Sequence, residues 1–182
     1  VTAGPAVLAT PRLVLRPLNA ADVAAVHALW TDPDVRRYLW ADEVVTRDRV
    51  REVIAASTRH FAAKRDGLWR IDDAATGAFV GFAGCREWPA GGPELTYGLA
   101  PAWWGRGLAT EAAHGVLAHV FETLGHPVVM AATDPPNVAS VRVLERLGMT
   151  FDWRGEMHGL DTLVYRLSRE RWRRVRAQPS SR

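Results

Sequence analysis

A chain of 182 residues with 48% hydrophobic and 24% charged positions carries enough apolar material for one ordinary packed domain and too little for two. Its apolar runs stay below the roughly 18 residues of a membrane-crossing helix, and Pro5, Pro11 and Pro17 interrupt the first stretch, so neither a membrane anchor nor a signal peptide is expected. The single cysteine, Cys85, excludes an internal disulfide and a Cys-rich metal site, and it suits a reducing, cytoplasmic setting.

The net charge of +3 is concentrated at one end. RERWRRVRAQPSSR (169–182) holds six of the 23 basic residues and one of the 20 acidic ones, which leaves 17 basic against 19 acidic in the first 168. The body is thus nearly neutral, and the tail reads as a solvated, fraying helix; with no interleaved-aromatic or recognition-helix pattern, nucleic acid is a disfavoured partner.

In chain order, RLVLRPL (12–18) alternates apolar and polar positions as a first strand ended near Pro17. Asn19 or Asp22 then caps a helix over 20–31, and TDPDVRRYLW (31–40) reads as a turn and short helix. Residues 46–64 place Val50, Val53, Ile54, Ser57 and Phe61 at helical spacing, with Gly67 as the expected C-cap. LWRIDD (68–73), AFVGFAGCREW (78–88) and ELTYGLA (94–100), separated by turn material, read as successive antiparallel strands. A helix follows over 105–124, a buried strand over 126–133, a helix over 138–147, and a hairpin of 149–158 with 161–168 about Gly159. The order specifies one mixed α/β domain over 1–182 with helices on both sides of a sheet.

The loop PAWWGRG (101–107) joins a strand to a helix, so its N–H groups include the unsatisfied donors of a helix start, and the helix dipole adds about half a positive charge there. A pyrophosphate suits such a place. Asn137 reads as the N-cap of the next helix. His114 and His119 lie five apart, which misses the spacing of a helical metal pair, and Cys85 within a strand reads as a small core residue; no metal site is expected.

GRGLATEA (105–112) resembles the acyl-CoA loop of the GCN5-related N-acetyltransferases (GNAT), whose signature is [RQ]-x-x-G-x-[GA]. Trp104, Gly107 and Ala109 occupy its fixed positions, and Trp104 departs from the usual Arg or Gln. TPRLVLRPL (10–18), TDPDVRRYL (31–39), PELTYGLAPAWWGRGLATEA (93–112), NVASVRVLERLGM (137–149) and DTLVYRLSRERW (161–172) are similar, in order, to segments of the RimJ/RimL-type branch, the ribosomal-protein N-terminal acetyltransferases.

That resemblance implies a mostly antiparallel sheet, splayed between its fourth and fifth strands (94–100 and 126–133), that holds acetyl-CoA as co-substrate. Its pantetheine is expected along Leu99 and Ala100, and its pyrophosphate at Trp104, Gly105, Arg106, Gly107, Leu108, Ala109 and Thr110. Asn137 and Arg142 contribute from the next helix. Glu94 is expected to take the amine proton through a water, since an alkylammonium is not nucleophilic until deprotonated. Ser140 is expected to protonate the leaving thiolate, with Tyr97 or Tyr165 as substitutes. The acceptor pocket is expected to draw on Trp30, Tyr38, Trp40, Tyr97 and Trp153. A protein N-terminal α-amine, a small amine or amino acid, a polyamine and an antibiotic amine all fit as acceptors, in a monomer or homodimer. The competing class is a non-catalytic acyl-CoA-binding or RNA-associated module.

Overall fold

The structure, a computed structural model, describes residues 7–177. Strands β1 (Leu8–Ala9) and β2 (Leu13–Pro17) are followed by α1 (Val23–Thr31), α2 (Pro33–Arg36) and α3 (Arg47–Lys64). Then come β3 (Leu68–Asp73), β4 (Phe79–Glu87), β5 (Pro93–Leu99), α4 (Leu108–Ala118), β6 (Val128–Thr133), α5 (Val138–Arg146), β7 (Thr150–Met157), β8 (Leu160–Ser168) and α6 (Arg169–Ala177). The eight strands form one sheet in the order β1-β2-β3-β4-β5-β6-β8-β7. All neighbours are antiparallel except β5 and β6.

Period-2 alternation sends successive side chains to opposite layers. In β3, Leu68 joins Val26, Trp30, Val50, Ile54 and Phe82 under α1 and α3, while Trp69 and Ile71 join Val116, Leu117 and Phe121 under α4. The hairpin forms as expected, with β8 between β6 and β7.

Several boundaries move for local reasons. Asn19 caps a single 3-10 turn, with Asp22 returning the bond, before α1 begins. Helix α3 is capped by Thr46 but ends on Arg65 in the left-handed region (φ 62°), not on Gly67. Gly67 is needed elsewhere: its carbonyl accepts Cys85 N–H, and a Cβ there would meet Ser57 Oγ at 2.7 Å. Helix α4 starts at Leu108, so Gly105 and Gly107 precede it, and a π-helical turn over His119–Thr123 replaces its last stretch.

The tail departs most from the solvated reading. Trp172 is 1% exposed and stacks on Phe121. Arg169 donates to the carbonyls of Gly125 and His126, Arg171 to that of Gly148, and Arg176 pairs with Glu122. Residues 178–182 lie outside the described part.

Asp22, 2% exposed, ties β2, β3 and the start of α1 together. It accepts from Arg16 at 2.7 and 2.8 Å, from Arg70 at 3.1 Å and from the Asn19 N–H at 2.9 Å. Burial opposes its ionisation, but the bonds from Arg16, Asn19 and Arg70 outweigh it and hold the carboxyl below its ordinary range. A lowered folded-state pKa gives stability that is present above the unfolded value, near 4, and lost as pH falls through the folded one. Asp22→Asn is therefore expected to cost about 3 kcal/mol at pH 7 in denaturant melts, with the gap to wild type closing in acid below about pH 4.

Candidate active site

Strands β5 and β6 are paired only at Glu94 and Met130, and beyond that point they part. Ala100 N–H donates to Val80 O, so alternation turns the main-chain groups of Ala100 and Gly98 to β4 and those of Leu99 and Tyr97 into the opening. The open strand edge expected at Leu99 and Ala100 is thus offered by Leu99 and Tyr97.

A cavity of about 560 Å³ occupies this opening. At one end Gly105 and Gly107, both at φ 74°, turn the chain into α4. The first intrahelical bond there runs from Glu111 N–H to Gly107 O, so the N–H groups preceding it point out of the helix end. Thr110 Oγ1 is buried without a hydrogen-bond partner in the same turn. Free donors, an orphaned hydroxyl and a dipole's positive end fit a phosphate group, and they fit the pyrophosphate expected from the sequence.

The loop is held from behind. Arg12 donates to Arg106 O at 3.0 Å, and Glu111 grips Arg12 through Nε at 2.7 Å and through its N–H at 2.8 Å, together with Thr10 Oγ1 at 2.7 Å. Burial opposes ionisation of Glu111, but these bonds prevail and lower its pKa. Arg106 stacks over Trp103 at 5.1 Å and is not part of the cavity lining.

Asn137 caps α5 by accepting Ser140 N–H at 3.1 Å. One turn on, Ser140 Oγ lies 2.8 Å from the Tyr97 hydroxyl, with both residues on the cavity wall. Burial pushes the Tyr97 phenol up to about 12, so it keeps its proton through the physiological range. Tyr165 lies outside the lining, against Phe151.

Of the expected cofactor residues, Leu99, Trp104, Gly105, Gly107, Leu108, Ala109, Thr110, Asn137 and Arg142 line the cavity; Ala100 and Arg106 do not. Of the expected acceptor residues, Tyr38 and Tyr97 line it. Trp30 and Trp40 instead pack together at 5.1 Å, with Trp30 edge-on to Phe82, and Trp153 stands on β7. Glu94, 3% exposed, sits outside the lining with both oxygens held by Arg86 at 2.8 Å.

Sequence reasoning missed Asp34, Arg37 and Arg146 on the wall. Arg146 was legible, since it repeats Arg142 one turn later on α5. Asp34 lies on α2 and Arg37 just after it; the approach of this segment to the loop before α5 is marked by a Tyr38 hydroxyl bond to Pro136 O at 3.4 Å, and no local pattern encodes that contact. Burial, followed by the charges of Asp66 and Glu94, raises the Cys85 thiol pKa strongly, which leaves it a poor nucleophile. No group of three or more metal-ligating side chains occurs among the described residues, nor does any helix long and apolar enough to cross a membrane.

The acetyltransferase (GNAT) domain family matches residues 12–150. The Bacillus subtilis protein YkkB is 32% identical over 148 residues, which is 79% of this chain and 85% of that one. An acetyltransferase structure from Agrobacterium tumefaciens superimposes with a TM-score of 0.80 at 29% identity, covering 92% of this chain and 96% of that one. The fold is shared, at 16% identity and a TM-score of 0.76, with RimL, a ribosomal L7/L12 alpha-N-protein acetyltransferase solved with coenzyme A; 90% of this chain and 98% of that one are covered. The splayed sheet, the glycine loop at the start of α4 and these likenesses agree: the chain belongs to the GNAT family and is an acyl-CoA-dependent N-acetyltransferase.

Proposed function

We propose that the protein acetylates a protein N-terminal α-amine and that acetyl-CoA occupies the cavity between β5 and β6. The observation that carries this reading is the continuity of the cavity wall, from the loop glycines past Leu99, Tyr97 and Ser140 to Asp34, Arg37 and Tyr38 of the α2 segment. One end suits a phosphate and the other is left for an acceptor. An α-amine, with a pKa near 8, loses its proton more readily than a lysine near 10.4, which favours it as the nucleophile at neutral pH. The peptide-terminus activity named for RimL, whose fold this chain shares, points the same way.

Acetyl-CoA brings an activated acetyl thioester; the chain holds and orients it. Backbone N–H groups of residues 108–110 meet the pyrophosphate, Arg142 and Arg146 add positive charge along the wall, and Leu99 and Tyr97 offer main-chain groups to the pantetheine arm. Ser140 Oγ–H stabilises the departing sulfur with a hydrogen bond, and the Tyr97 hydroxyl, which keeps its own proton, orients Ser140 through their 2.8 Å contact. Glu94, fixed by Arg86, receives the amine proton through an intervening water.

Gly107→Val is expected to raise the KM for acetyl-CoA at least about tenfold, because a β-branched residue resists φ 74° and the loop donors lose their aim. Ser140→Ala is expected to lower kcat about a hundredfold with little change in that KM. Tyr97→Phe should lower kcat less and leave the pH profile between about pH 6 and 10 unshifted, since the lost phenol does not titrate there. Glu94→Gln should lower kcat; full turnover would remove Glu94 from the mechanism. Thiol release from acetyl-CoA, scored across peptides, polyamines, amino acids and aminoglycosides, tests the acceptor. Peptides are expected to lead, and preference for any other amine overturns that part of the reading.

A further inference from the structure

Trp104 fills the first signature position without a charge, and it is 49% exposed on the cavity wall. Its indole is nevertheless committed: Nε1–H donates to Leu99 O at 2.7 Å. Leu99 is the last residue of β5, and its carbonyl is one of the groups turned into the opening by the register with β4. Between the two residues the chain makes a tight turn, with Trp103 N–H bonded to Ala100 O and Trp104 N–H to Pro101 O.

We infer that Trp104 is a positioning residue for acetyl-CoA, clipping the start of the phosphate loop to the end of β5 through its indole N–H, so that the role of this position is hydrogen-bond donation rather than charge. The inference rests on the reading of the cavity as the acetyl-CoA site. Two consequences follow. Gly105 and Gly107 lie directly after the clip, so their left-handed turns start from a fixed point and the donors of residues 108–110 are aimed before the ligand arrives; preorganisation of this kind strengthens binding. The clip also satisfies the Leu99 carbonyl, which leaves Leu99 N–H and the main chain of Tyr97 to pair with an amide-bearing arm in the opening. Arg and Gln, the residues usual at this position in the signature, share one property with Trp: each carries a side-chain N–H.

Trp104→Phe keeps an aromatic ring and removes the donor; Trp104→Gln returns a donor on a smaller side chain. Loss of one hydrogen bond predicts a three- to tenfold rise, approximately, in both the Kd for CoA by calorimetry and the KM for acetyl-CoA in the Phe variant, with kcat and Tm close to wild type. The Gln variant is expected to recover most of that rise. An unchanged or lowered constant in the Phe variant overturns the inference, as does a Gln variant no better than Phe, which would assign the effect to ring packing. Binding of CoA by the wild-type protein separately tests the cavity reading: its absence overturns both, whereas binding that is indifferent to the donor overturns the clip alone.

Discussion

Two neighbouring strands, β5 and β6, run parallel, pair at one point and then separate, and the site follows from that separation. On its other edge β5 is fixed to β4 through seven register pairs, from Gly81–Leu99 to Glu87–Pro93, so the strand cannot close the gap by moving. The main-chain groups of Tyr97 and the N–H of Leu99 are left facing an opening, where an unmade hydrogen bond costs about 1–3 kcal/mol per buried group. A ligand with its own amides removes that cost, and so a defect in the sheet becomes a binding edge. Tyr97 serves twice, since its main chain faces the opening while its hydroxyl reaches across to Ser140 on α5.

The phosphate end of the cavity depends on residues far away in sequence. Gly107 can adopt its turn because no Cβ is present, but the direction of that turn is set by Arg12 on the carbonyl of Arg106, and Arg12 is itself held by Glu111 from the first turn of α4. The short segment before β2 is therefore part of the loop's scaffold. Glu111 also belongs to the α4 N-terminus, where a carboxylate is favoured by the dipole, so one side chain stabilises the helix start and braces the loop that precedes it.

Elements with strong local patterns were readable from the chain. The alternation of β3 through β5, the Asn137 cap and the glycine loop are each fixed by residues within one or two turns of each other, and the structure places them where those patterns put them. The differences share a cause. Trp30, Trp40 and Trp153, expected at the acceptor pocket from the resemblance, lie outside the cavity lining, because whether a large ring packs inward or lines a cavity is decided by tertiary neighbours, here Phe82 for Trp30 and the edge strand β7 for Trp153. Glu94 has the strand position expected of it, but its cross-strand partner Arg86 could be identified only once the register was known. The same holds for Ala100, whose neighbour Leu99 faces the opening while it does not.

Charge gives the sharpest example of placement outweighing composition. The basic end of the sequence looks like the feature most able to attract an anion, yet Arg169, Arg171 and Arg176 spend their donors on the carbonyls of Gly125, His126 and Gly148 and on Glu122, docking α6 around the buried Trp172. Those contacts join α6 to the chain after α4 and to the end of α5 and commit these three side chains to docking. The cavity, by contrast, sits in a body with slightly more acidic than basic residues and draws its positive field from Arg37, Arg142 and Arg146 together with the N-terminus of α4. A field built from a few oriented groups at the wall acts within the roughly 8–10 Å over which salt leaves it unscreened, so net charge elsewhere on the protein has little say in what this cavity holds.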